Sequence, residues 1–148
     1  MMSAILTIAE AGRRIAAKQL SPIELTKLHL ERIHRLNPQL HAFLLISEER
    51  ALADAGAAEA RQMSGQRRGP LDGIPIAHKD IYNTAGIRTT AHSKLLQDNI
   101  PVRDAHTVKN TVRLQALSME SFGHGEPTTI NFNCVEYRLR YYVGSLRP

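Results

Sequence analysis

The sequence predicts an α/β fold, with N-terminal helices packed on a partial mixed sheet. Three features of the chain predict it. Apolar residues recur at helical spacing through the first third. Ser21-Pro22-Ile23-Glu24 has the composition of a helix start. A short apolar run, Ile74-Pro75-Ile76-Ala77-His78, lies among turn formers and reads as a buried strand.

In chain order, Ile5, Leu6, Ile8, Ala9, Ile15 and Ala16 give a first helix over residues 3–18. In the second, Ser21 accepts from an orphan amide, Pro22 suits the first helical position, and Glu24 closes a capping box. Ile23, Leu30 and Ile33 follow on one face, and Asn37-Pro38 is expected to stop the helix. Ala42-Phe43-Leu44-Leu45-Ile46 reads as a strand or a buried extended segment. Residues 48–63 are rich in alanine, with acids early and Arg61 late, so a third helix is expected, ended by Ser64-Gly65. Residues 66–73 are polar and turn-forming. Pro75 suits the start or edge of a strand better than its laddered centre. Residues 83–99 read as loop, and Asp104 is the expected N-cap of a helix reaching Leu117. From Ser118 the character changes. Gly123, Gly125 and Pro127 disfavour regular structure, and Phe132, Tyr137, Tyr141 and Tyr142 cluster late.

A length of 148 residues suits a single modest domain, and 43% hydrophobic residues are enough for its core. The net charge of +5 permits an acidic partner. The basic residues are scattered, however, with no long run and no aromatic interleaving, so they read as a solvated surface. Nucleic acid is therefore not expected as the main partner. The lone Cys134 rules out an internal disulfide framework and a multi-thiolate metal site, and it carries no catalytic motif. The absence of disulfides suits a reducing, cytoplasmic setting. The histidines (His29, His34, His41, His78, His92, His106 and His124) form no metal-binding spacing, so no metal is expected. No phosphate-cradling glycine motif is present, and no cofactor is expected. Met1 to Ala11 does not read as a signal peptide, and no apolar run reaches membrane-spanning length.

The chemistry concentrates in Gly69-Pro70-Leu71-Asp72-Gly73-Ile74-Pro75-Ile76-Ala77-His78-Lys79-Asp80. Two glycines and two prolines fix a tight turn into a short apolar strand. The strand delivers Lys79 and Asp80 at its C-terminal end, where α/β proteins commonly place functional groups. A lysine in partly apolar surroundings is desolvated, which favours its neutral form, and a neutral lysine is a competent general base. A lysine at a strand end is more often an ordinary surface charge. His78 and Lys79 alternate along the strand and are expected to face opposite sides.

This run, followed by Gly86-Ile87-Arg88-Thr89-Thr90, Ser93 and Asp104-Ala105, resembles the amidase-signature family, which includes amidases and the A subunit of the glutamyl-tRNA amidotransferase. Ser21-Pro22-Ile23-Glu24-Leu25, Arg32-Ile33 and Asn37-Pro38 are similar to the family's N-terminal helices. The resemblance implies hydrolysis of carboxylic amides by a Ser-cisSer-Lys mechanism, in which a lysine acts as base through a bridging serine on a nucleophilic serine. It places Lys79 at the base position. Thr89, Thr90 and Ser93 fall in a loop that approaches the active site in the family, though each also suits ordinary loop capping. Asp80 is a candidate for orienting that loop.

The pattern then breaks. The resemblance puts both serines in a Gly/Ser-rich stretch, and no run of the G-G-S-S-G-G type occurs in these residues. Ser118, Ser121 and Ser145 lack that setting and are not assigned as nucleophile. The strand that follows the Asp104 helix in the family also looks missing, because Leu117-Ser118-Met119-Glu120-Ser121-Phe122-Gly123 resembles a later segment. The chain thus reads as one truncated domain over residues 1–148, family-like over about 3–117, with a diverged tail over about 118–148. Such a unit leaves sheet edges unpaired and apolar faces uncovered. The expectation is an amidase-family protein that carries the lysine, acts on a small amide when completed, and is inactive alone. The alternative is a non-catalytic interaction module, as a homo-oligomer or with a partner subunit.

Overall fold

The computed structural model describes residues 6–114 and 116–122. The first helix, α1 (Ile8–Ala16), starts at Thr7, whose hydroxyl accepts the Glu10 N–H at 3.1 Å. It begins later than residue 3, and residues 1–5 lie outside the described part. It ends on Lys18 in the left-handed region, φ 57°. The second helix, α2 (Pro22–Leu40), has the serine cap that its sequence predicts. Ser21 Oγ accepts from the N–H groups of Ile23 at 3.1 Å and Glu24 at 3.2 Å. Asn37-Pro38 does not stop it. Pro38 lies inside the last turn and forgoes the bond that its N–H would make to the His34 carbonyl, so the helix carries it at a cost. Termination falls to His41, left-handed at φ 47°, and to Asn37, whose side chain pairs with both the N–H and the carbonyl of Phe43. The third helix, α3 (Glu48–Met63), has the predicted bounds.

Residues 42–46 form an extended connector rather than a named strand. Its Phe43 and Ile46 pack with Leu52 on a cluster of Leu30, Ile33 and Ala51 between α2 and α3. A second cluster joins Ala11 and Ile15 of α1, Leu25 of α2 and Ile74, with Leu6, Leu20 and Leu71 against it. Each fully buried aliphatic side chain there stabilises the fold by ~1.5–3 kcal/mol.

Strand β1 (Ile74–Lys79) follows the predicted turn. It pairs in parallel with β2 (Ala116–Phe122), from Ile74 opposite Ala116 to His78 opposite Glu120. The connection between them contains a short 3₁₀ turn (Lys94–Leu96) and a fourth helix, α4 (His106–Leu114). Two expectations fail here. The missing strand is present, because Ala116–Phe122 itself forms it. Asp104 does not cap α4. Its carboxylate accepts the Ala85 N–H at 2.7 Å, tying the start of the connection to its end. The segment holding Cys134 and the late aromatics lies outside the described residues.

Asp72 anchors the turn before β1. Its side chain is fully buried and accepts both arms of the Arg61 guanidinium, Nη2 at 2.7 Å and Nε at 3.1 Å, plus the Arg68 N–H at 3.1 Å. Burial alone raises its pKa. The Arg61 hydrogen bonds, the Arg68 N–H and the charges of Arg61 and Arg67 outweigh that and hold it below the ordinary carboxylate value.

Gly73 stands at φ +91°, and a Cβ there would meet Pro22 Cγ at 2.8 Å. Gly65 is also left-handed, at φ +72°, but faces open space. Gly73→Ala is therefore expected to cost about 2–4 kcal/mol in chemical denaturation, from strain and clash together, and Gly65→Ala only about 1. Equal losses at the two positions would contradict the close approach of α2 to the turn.

Candidate active site

Lys79 ends β1. The pairing register slips between His78 and Lys79, because Lys79 lies opposite Phe122 and Ser121 is the extra residue on β2. A bulge of this kind re-aims a strand side chain. It also removes the strict alternation that the sequence suggests. His78 is buried and Lys79 half-buried, yet both border one small cavity of about 10 Å³, with Asp80, Tyr82, Thr84, Arg88 and Thr89. After the lysine the chain turns at once. The Lys79 carbonyl accepts the N–H groups of Ile81 at 2.7 Å and Tyr82 at 3.0 Å.

Asp80 organises the loop beyond this turn. It is buried, and its carboxylate accepts the Thr90 N–H at 2.8 Å and the Thr90 hydroxyl at 2.5 Å. Its own carbonyl accepts the Ala91 N–H at 2.8 Å. Thr90 Oγ1 in turn accepts the His92 N–H at 3.1 Å. These bonds hold two consecutive left-handed residues, Ala91 at φ 48° and His92 at φ 58°. Such backbone costs roughly 1–2 kcal/mol per residue and persists only when its surroundings fix it. Ser93 caps the 3₁₀ turn by accepting the Leu95 N–H at 3.3 Å. Thr89 donates its hydroxyl to the Ile87 carbonyl at 3.3 Å. Thr89 and Ser93 thus bond within two residues of themselves, whereas Thr90 also reaches Asp80, ten residues away. Arg88 borders the same cavity as Lys79; it falls in the Gly86-to-Thr90 run that resembles the family, but the sequence alone assigns it no role there.

The other histidines do not converge on this site. His29 bonds the Leu25 carbonyl at 2.8 Å, and His34 pairs with Glu48 at 3.0 Å between α2 and α3. Among the described residues, no group of three or more His, Cys, Asp or Glu side chains is placed to hold a metal ion. No described helix is long and apolar enough to cross a membrane.

A helix-covered parallel strand that ends in a lysine, followed by an aspartate-pinned loop, defines a section of an α/β fold. The profile of the Amidase family matches residues 24–133. The chain belongs to the amidase family. It is 40% identical over 128 residues to the A subunit of the glutamyl-tRNA(Gln) amidotransferase of Streptomyces coelicolor, covering 83% of this chain and 26% of that protein. The corresponding A subunit of Azoarcus sp. strain BH72 is 43% identical over 124 residues, covering 80% and 25%. Among solved structures, native peptide amidase from Stenotrophomonas maltophilia superposes with a TM-score of 0.76 at 31% identity, over 82% of this chain and 25% of that one. The chain thus spans about a quarter of the length of the curated relatives it matches.

His78 offers a direct reading of burial at this site. It is 8% exposed, and its Nε2 has no hydrogen-bond partner among the described residues. Burial lowers its pKa, the Arg50 charge adds to that, and Asp104 partly offsets it. With the folded pKa depressed, protonation favours the unfolded chain. Stability is complete above the unfolded value of ~6.5 and declines as pH falls below it. Denaturation between pH ~6.5 and ~5 is expected to show this decline at up to about 1.4 kcal/mol per pH unit. His78→Phe is expected to flatten it. An unchanged slope in the variant would assign the decline to other groups.

Proposed function

We propose that this chain supplies the lysine-bearing section of an amide hydrolase, with Lys79 as the general base. The observation that carries the reading is the position of Lys79. It stands at the C-terminal end of a parallel strand, within a Gly69-to-Asp80 run that matches the family's lysine motif, beside a buried aspartate that fixes the next loop. In the mechanism that membership suggests, the lysine accepts a proton through a bridging serine from a nucleophilic serine. The serine oxygen bonds to the amide carbonyl carbon, the C–N bond breaks, and the amine or ammonia leaves with a proton. Water then cleaves the acyl-serine ester to release the acid. The substrate class is a small carboxylic amide, and a chain with one cysteine suits the reducing cytoplasm.

The Gly/Ser-rich run that carries both serines does not occur among these 148 residues. The base therefore lacks the two groups it would act through, and the chain alone is read as inactive. Assayed on simple amides, the purified chain is expected to give no turnover above buffer. Robust turnover lost in Lys79→Ala would overturn the inactive reading and keep the base. Turnover indifferent to that substitution would remove both.

The second reading is an interaction or oligomerisation module, which a specific surface favours. Leu95 in the 3₁₀ turn is 95% exposed and Val102, before α4, 90%, with Ile100 also largely exposed. Apolar side chains so presented suit a partner protein or a second copy. Size measurement in solution is expected to show association that Leu95→Ser combined with Val102→Ser weakens. A stable monomer would end this reading.

A further inference from the structure

An open groove of about 290 Å³ lies beside the lysine cavity and shares Asp80 and Arg88 with it. One wall is the connector after α2, with Leu44 and Leu45. The other is the loop pinned by Asp80, which contributes Thr90, His92, Ser93 and Lys94, and Gln97 lies beyond it. Neither Arg88 nor Lys94 forms an ion pair among the described residues. The groove's one carboxylate, Asp80, is buried and already accepts two bonds from Thr90. Ser93 Oγ accepts from the Leu95 N–H, which leaves its own O–H to donate. The groove therefore offers donors and positive charge on one side and apolar surface on the other. The left-handed Ala91-His92 turn, held by Asp80, fixes the backbone of the polar wall.

We propose that this groove is a binding site for a small organic carboxylate with a short aliphatic body. The Arg88 guanidinium presents the planar donor fork that matches a carboxylate, and Lys94 adds a second cation. Leu44, 45% exposed, and Leu45 receive the aliphatic part. The groove shares Asp80 and Arg88 with the lysine cavity, but carboxylate binding there does not require Lys79 to act as a base.

The test uses hexanoate as probe and neutral hexanol as control, read by backbone amide shifts of the full chain. Hexanoate at millimolar concentration is expected to shift the amides of residues 88–94 and of Leu44 and Leu45 in a saturable way. Hexanol is expected to bind at least ~10-fold more weakly, because it lacks the charged partner. Arg88→Gln with Lys94→Gln is expected to weaken hexanoate by about 10-fold and leave hexanol unchanged. Both substitutions are on exposed side chains, and unchanged amide shifts elsewhere establish that the variant is folded. Lys79→Ala is expected to bind hexanoate as the unaltered chain does, which separates this site from the proposed amidase role. Equal binding of hexanoate and hexanol, hexanoate binding that survives the double variant, or shifts confined to residues outside the groove would overturn the proposal.

Discussion

Asp72 is a fully buried carboxylate, and the placement of the lysine strand depends on how it is paired. The Arg61 fork fastens the last turn of α3 to the loop that launches β1, and the Arg68 N–H closes that loop on itself. Removing one member of a buried pair leaves the other charge uncompensated, at a cost of ~3–5 kcal/mol. Neighbouring bonds share the task. Gln62, next to Arg61, donates to the carbonyls of Ile15 and Leu20, so the same end of α3 also grips the junction between α1 and α2. With three helices tied at one corner, Ile74 enters the core in a fixed direction and Lys79 emerges at the far end of the strand.

A second buried aspartate repeats the device at the other end of β1. Asp72 precedes the strand and binds a guanidinium and an amide, whereas Asp80 follows it and binds an amide and a hydroxyl. The strand between them carries Pro75 and spans only Ile74–Lys79. Among the described residues β2 is its ladder partner. The two carboxylates fix the chain at either end of the strand and set the position of Lys79 from both sides.

Much of this is legible from local chemistry. The Ser21 cap, the alanine-rich α3 and the strand with its turn formers follow from rules that act within a few residues. The departures all involve partners farther along the chain. Pro38 stays helical because Asn37 and Phe43 complete the end of α2. Asp104 is not the cap of α4 because Ala85, nineteen residues earlier, takes its carboxylate. The segment Ala116–Phe122 alternates apolar and polar residues from Leu117 to Glu120, a strand signal, yet only the pairing with β1 sets its register and the slip beside Ser121. At the site, Lys79 is legible through its motif. The bulge beside it, and the placement of Arg88 against the lysine cavity, depend on tertiary structure, although Arg88 itself lies in a motif-like run.

The parallel pairing of β1 and β2 also fixes a route for the polypeptide. Parallel strands finish at the same rim of a sheet, and here Phe122 finishes opposite Lys79. Neighbouring strands lie ~4.8 Å apart, so the backbone leaves β2 within reach of the lysine. A nucleophile placed shortly after this strand would need no distant loop to bring it there, and the entropy of that encounter is already spent when the two strands pair.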